Sequence, residues 1–224
     1  HGLPQYLILS LFQDPGGKLW ACTNGKGASY FEGGKFHDYE PVRDAYPWSI
    51  FQDSKGVRWI GSYGGGLYRI ENGRVTNYKK DHGLSSNGVF AIFEDSKKRI
   101  WIGTTGGGAV IFENEGFLRF DENHGFRGKY VIRFFEDSKG VIWAGTTGYG
   151  VNRFENGAFT NFSTGGSPAP VSGVLSHDTV RSIYEAPDGA LWFGTYGGGL
   201  NRLKNNKIVS VRKKDGLYNN TVSD

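Results

Sequence analysis

One stretch, FEDSKKRIWIGTTGGGAVIF from Phe93 to Phe112, recurs in close copies along the chain. A chain made of tandem units this short can bury a core only by packing like units against one another. The copies are QDPGGKLWACTNGKGASYF from Gln13 to Phe31, QDSKGVRWIGSYGGGLYRI from Gln52 to Ile70, EDSKGVIWAGTTGYGVNRF from Glu136 to Phe154 and EAPDGALWFGTYGGGLNRL from Glu185 to Leu203. Their tryptophans, Trp20, Trp59, Trp101, Trp143 and Trp192, follow at intervals of 39, 42, 42 and 49 residues. A period of about 42 residues is the span of one four-stranded propeller blade.

Within a repeat the pattern reads as four short strands. GVFAIFED is apolar and β-branched, SKK or SKG turns the chain, and RIWIGT follows. GGGAVIFE makes a third strand, an Asn-Gly type turn comes next as at Asn72-Gly73 and Asn156-Gly157, and GFLRFDE or RVTNYKK closes the unit. No segment carries a capped helical period. The expectation is an all-β chain, a propeller of five four-stranded blades in one domain over 1–224, with repeats at approximately 1–43, 44–82, 83–124, 125–175 and 176–224. Trp20, Trp59, Trp101, Trp143 and Trp192 are its structural core, each filling the gap between neighbouring sheets. The Asp of Asp-Ser-Lys-Gly hydrogen-bonds the backbone ahead of it in a hairpin turn, a structural role and not a metal site.

The pattern Glu-Asp-Ser-Lys-Gly-x-x-Trp-x-Gly-Thr-x-Gly-x-Gly, then Arg-Phe, Arg-Ile or Arg-Leu, Asn-Gly, and a closing Asp-His-Gly-Leu-Ser-Ser-Asn-Gly-Val resembles the two-component regulator propeller repeat. The resemblance covers essentially the whole chain. It implies a sensor region of a bacterial hybrid histidine kinase, periplasmic or extracellular, and it speaks for the fold more than for any ligand. The family usually closes its rings with more blades, about seven, within the 4 to 8 that are physically feasible. Five blades closing alone is the expectation, with a share in a larger ring, or completion by another copy and hence self-association, as the alternatives. A start at His1 and an end at Asp224, at the same phase of the repeat, read as a piece of a longer protein.

Composition narrows the partners. A formal charge of +4 spread over 224 residues has no basic stripe for nucleic acid. No apolar run is long enough to span a membrane, so no membrane contact by this segment is expected. Cys22 stands where other repeats have Gly61, Gly103, Gly145 and Gly194, and reads as a buried, inert thiol. His82 and His124 lie one repeat apart, too far to share a metal, and His1 has the same phase. No metal and no cofactor is expected.

Positions that recur are framework, so positions that depart are candidates for function. Trp48 stands where other repeats have Leu9, Phe90, Ile132 and Arg181. A core role competes there with a stacking platform formed with Tyr46 and Arg43. Tyr63 and Tyr196 take the loop position of Asn24, Thr105 and Thr147. Arg133 replaces Ser10, Ser49, Ala91 and Ser182 on an inner strand, and with Arg127 and Lys129 forms a basic patch suited to a carboxylate or sulfate. A salt bridge from Arg133 or Arg181 to a linker carboxylate such as Asp178 or Asp44 is the competing role. Trp48, Tyr63, Arg127, Arg133, Tyr149, Arg181 and Tyr196 are therefore the candidate ligand-binding residues, on the end of the blades that carries the linkers. STGGSPAPVSGVLSHD reads as a mobile surface loop, or as a lid over that end.

No nucleophile elbow, zinc-protease helix or phosphate loop is present. The expected function is non-catalytic sensing, with an oligosaccharide as ligand. A propeller lyase or glycosidase using His177 or carboxylate pairs is one alternative, and a protein-binding or self-assembling scaffold is another.

Overall fold

The computed structural model describes residues 7–24, 27–42 and 45–223. Arg43, Asp44, Lys26 and His1, which the sequence singles out, lie outside them. Five antiparallel four-stranded sheets make up the described chain, each from four consecutive strands. The first holds β1 (Ile8–Gln13), β2 (Leu19–Thr23), β3 (Ala28–Glu32) and β4 (Lys35–Asp38), and the second β5 (Pro47–Gln52), β6 (Arg58–Ser62), β7 (Gly66–Glu71) and β8 (Arg74–Tyr78). The third holds β9 (Val89–Glu94), β10 (Ile100–Thr104), β11 (Ala109–Glu113) and β12 (Gly116–Phe120). The fourth comprises β13 (Val131–Glu136), β14 (Ile142–Thr146), β15 (Val151–Glu155) and β16 (Ala158–Phe162), the fifth β17 (Val180–Glu185), β18 (Leu191–Thr195), β19 (Gly199–Lys204) and β20 (Lys207–Val211). These are the blades of a propeller. Among the described residues helix is confined to single 3-10 turns such as Lys80–His82.

The chain forms two compact units, one of residues up to 106 with 110–118 and one of 107–109 with the chain from 119 onward. In the first unit β5 packs against β1 and β9, and in the second β13 packs against β17, so first strands lie beside first strands.

A recurring bond explains why Trp and Asp share a fixed spacing. Asp53 Oδ1 accepts from the backbone N–H of Lys55 and Val57 (3.0 and 2.9 Å), while its Oδ2 accepts from the indole N–H of Trp59 (2.8 Å). The same carboxylate-to-indole bond joins Asp14 to Trp20, Asp95 to Trp101 and Asp137 to Trp143 at 2.8–2.9 Å. A buried indole N–H needs an acceptor, and the turn supplies one from inside the same hairpin. Burial works against the charged form of Asp14, but Trp20, Lys18 and Arg58 outweigh it and hold that carboxyl below its usual range.

The fifth blade departs from this rule. Ala186 stands in the Asp position, and Trp192 is only partly buried whereas Trp20, Trp59, Trp101 and Trp143 are buried. Asp188 accepts from Arg202 and Lys204 instead (2.9 and 2.6 Å).

The hairpin also clasps the next blade. Ser54 donates its N–H and hydroxyl to the two oxygens of Glu94 (2.9 and 2.7 Å), and Ser138 does the same to Glu185 (2.6 and 2.7 Å). On the second strand, a Cβ at Gly61 would lie 2.6 Å from a Val89 methyl and 2.9 Å from its carbonyl oxygen. Glycine there lets the following first strand approach its neighbour. Cys22 fills the equivalent place, fully buried, and burial pushes its thiol up to about 12, consistent with an inert side chain.

Candidate functional site

Each first strand pairs with its second strand through the same irregularity. Pro47 pairs with Ser62 and Ser49 with Gly61, so two steps on β5 match one on β6 and Trp48 is the extra residue. The same slip makes Leu9, Phe90, Ile132 and Arg181 the extra residues of their blades. A bulge frees a residue from the alternation of the pleat and re-aims its side chain. A position at which the repeats differ in chemistry is therefore one the backbone takes out of register.

The bulged residue meets the loop between second and third strands. That loop is fastened to the linker by Tyr63 N–H donating to the Tyr46 carbonyl (2.8 Å), and Tyr196 N–H donating to Thr179 does the same in the fifth blade (3.0 Å). In the first unit the Trp48 ring lies 5.7 Å from Tyr63 and 4.5 Å from Phe90, and Tyr63 stacks on Phe90 at 6.4 Å with an interplanar angle of 20°. Trp48 is partly buried, whereas Tyr63 is 60% exposed. Trp48 thus supports the cluster from below and Tyr63 presents its outer face.

In the second unit the equivalent pair is Arg181 over Tyr196, with the guanidinium carbon 4.3 Å from the ring centroid and Tyr196 51% exposed. A guanidinium on an aromatic face keeps its charge and its edge donors available to a ligand.

The remaining candidates separate. Arg127 and Tyr149 line one groove of about 710 Å³ beside residues 163–168. Arg133 lies opposite Gly145 on β13 and lines a different, mainly apolar pocket of about 490 Å³ with Tyr184, Trp192, Leu200 and Val222. The single basic patch expected of Arg127, Lys129 and Arg133 is thus divided, because Arg127 belongs to the linker and Arg133 to the strand. Asp178, the expected partner of an arginine, accepts from Thr164 instead, through its N–H and its hydroxyl (both 2.6 Å).

The linker expected to be a mobile loop or a lid is pinned. Ser172 N–H donates to the Asn206 carbonyl and Ile208 N–H donates to Ser172 (both 2.8 Å), while Leu175 is buried. Apolar anchoring by Val171 and Leu175 outweighs the Ser/Gly/Pro composition of that stretch. Phe90 and Phe159 were not among the sequence candidates. Phe90 shares the phase of Trp48, which was the available signal; Phe159 reads from sequence as one more strand aromatic.

The histidines sit in local bonds. Those at positions 82 and 177 accept through Nδ1 from the N–H of Lys79 and Thr179 (3.1 and 3.0 Å), and His124 Nδ1 lies 2.9 Å from Asp121. No cluster of three metal-ligating side chains occurs among the described residues.

Three stretches, residues 83–106, 125–148 and 174–197, match the family described as the two component regulator propeller. Each runs from a linker through a first and second strand into the loop, so each contains a bulge. Among solved structures, the extracellular domain of a hybrid two-component system from B. thetaiotaomicron is 25% identical, with a TM-score of 0.72 over 87% of this chain. A second such extracellular domain from that organism is 18% identical, with a TM-score of 0.73 over 93%. The chain spans 27% and 30% of those two proteins. Virginiamycin B lyase from Staphylococcus aureus is 19% identical, with a TM-score of 0.67 over 93% of this chain and 71% of the lyase, a likeness of fold alone. No curated protein sequence matches the chain.

Proposed function

This chain carries two-component regulator propeller repeats, and from that premise we propose that it is a non-catalytic, extracytoplasmic sensing module that recognises an oligosaccharide. One observation carries the reading: every first strand has a bulge, and in the second and fifth blades the bulged side chain meets an exposed loop residue, giving Trp48 with Tyr63 and Arg181 with Tyr196. An exposed ring backed by a second ring covers the apolar face of a sugar, and a guanidinium held on a ring supplies paired donors to hydroxyl or acid groups at its edge. Solved relatives of the same fold are extracellular domains of two-component systems, which supports a place outside the cytoplasm.

The reading is of recognition without bond-making, because neither pair includes the imidazole or carboxylate that most often serves as general acid or base. Calorimetric titration of the chain with a panel of neutral and acidic oligosaccharides tests it. Binding of at least one member, weakened by Tyr63→Ala or Tyr196→Ala with the unfolding midpoint retained, is the expected outcome. Absence of heat for every member would remove the sugar assignment.

A further inference from the structure

The groove beside the 163–179 linker has a different charge arrangement from the two bulge pairs. Tyr149, 48% exposed, lines it. On one side, a Cβ at Gly128 would lie 3.1 Å from Tyr149 Cβ, so the segment carrying Arg127 runs against the tyrosine. On the other, Gly150 N–H donates to the Asp178 carbonyl (2.7 Å), which brings the segment carrying that carboxylate alongside. Arg127 and Asp178 therefore come from segments that both run against Tyr149, and both line the groove with it and Phe159.

Both segments are held in place. Arg127 exchanges backbone bonds with the Asn152 side chain, its N–H donating and its carbonyl accepting (both 2.8 Å). Asn161 donates to the Tyr149 carbonyl (2.8 Å). Thr164 donates to both oxygens of Asp178, which orients the carboxylate while leaving each oxygen a further lone pair. Glu122 adds a second negative group to the lining.

A neutral sugar needs neither a full positive nor a full negative charge. A molecule that carries both an ammonium and a carboxylate needs both, with its apolar part over the ring. We infer that this groove is a binding site for a small zwitterion of the amino-acid type, its ammonium at Asp178, its carboxylate at Arg127 and its apolar body over Tyr149 and Phe159. The site is independent of the bulge pairs and of the sugar they are proposed to bind.

Calorimetric titration of the full chain with free α-amino acids bearing apolar side chains, each beside its N-acetyl and its carboxamide derivative, tests the inference. The free amino acid should bind at least about tenfold more tightly than either blocked form, since each loses one charge-assisted contact. Arg127→Gln should abolish the preference for the acid over the carboxamide, Tyr149→Ala should weaken all forms, and Arg74→Ala, at an exposed position that does not line the groove, should change nothing. Equal binding of the blocked forms, an unchanged preference in Arg127→Gln, or no heat with any amino acid would overturn it. A neutral hexose whose binding is lost in Tyr149→Ala would also overturn it, and would assign the groove to the sugar instead.

Discussion

The second and fifth blades are built from the same repeat, and two of their differences bear on stability and on the proposed site. In the second, Asp53 ties Trp59 into the hairpin and the bulge presents Trp48 against Tyr63. In the fifth, Ala186 leaves the indole without that acceptor, and the bulge presents Arg181 against Tyr196. The backbone is the same in both, down to the one-residue slip between first and second strands. On the proposed reading the fold sets where a recognition side chain points, and the sequence at one position sets what it would recognise. It also follows that the Asp–Trp bond strengthens a blade without being required to form one.

The largest effect that would break this contrast concerns the indoles. Trp59→Ala removes a buried ring packed 5.0 Å from Phe112 and should cost about 3–5 kcal/mol in denaturant unfolding. Trp192→Ala should cost distinctly less, because its ring is already partly solvated. Equal costs would mean that the fifth blade's indole is as well packed as the second's.

Next in size is the tie itself. Asp53→Ala strands a buried indole N–H and two backbone donors, and should cost about 1–3 kcal/mol. The reciprocal change, Ala186→Asp, places a carboxylate where Trp192 lacks one and should raise stability by about 1 kcal/mol. A destabilised Ala186→Asp variant would show that the fifth hairpin cannot adopt the geometry of the others.

Much of this was legible in the sequence, and the reasons differ by feature. The strands and blades were, because Trp59, the Gly61 position and the Asn72-Gly73 turn recur at a fixed phase, and packing forces each of them. The carboxylate-to-indole bond was not, although its six-residue spacing was visible, because the turn alone accounts for an Asp there. The bulges were hidden as well, since a one-residue slip in pairing leaves no mark on composition. Trp48 was singled out as a departure, but its position as the residue taken out of register needed coordinates. The groove was missed for a third reason: Ser172 and Leu175 pin a stretch whose composition reads as loop, and the lining shared by Arg127, Tyr149 and Asp178 joins residues far apart in sequence.

A smaller effect sharpens the comparison through pH. In the fifth blade Lys204 donates to Asp188, and with the Ala190 N–H and Arg202 it lowers that carboxyl from 3.8 to about 2. A group depressed in the folded state stabilises above its unfolded pKa and loses that contribution as pH falls through the folded one. Asp188 should therefore contribute fully above about pH 4 and progressively less toward pH 2. Asp14, also lowered, acts in the same direction in the first blade. Comparing the acid limb of unfolding for Asp188→Asn with the parent chain checks this: the variant's limb should be shallower, and an identical limb would remove Asp188 from the account.

The central claim is that the bulged position chooses the ligand. Replacing Trp48 by isoleucine, the residue the fourth blade carries at the same bulge, changes that choice while keeping a side chain the backbone already accepts there. Titrating Trp48→Ile with an oligosaccharide that the parent binds should show binding weakened by about tenfold or more, with a cooperative unfolding transition retained. Unchanged affinity in a folded Trp48→Ile chain would contradict the account.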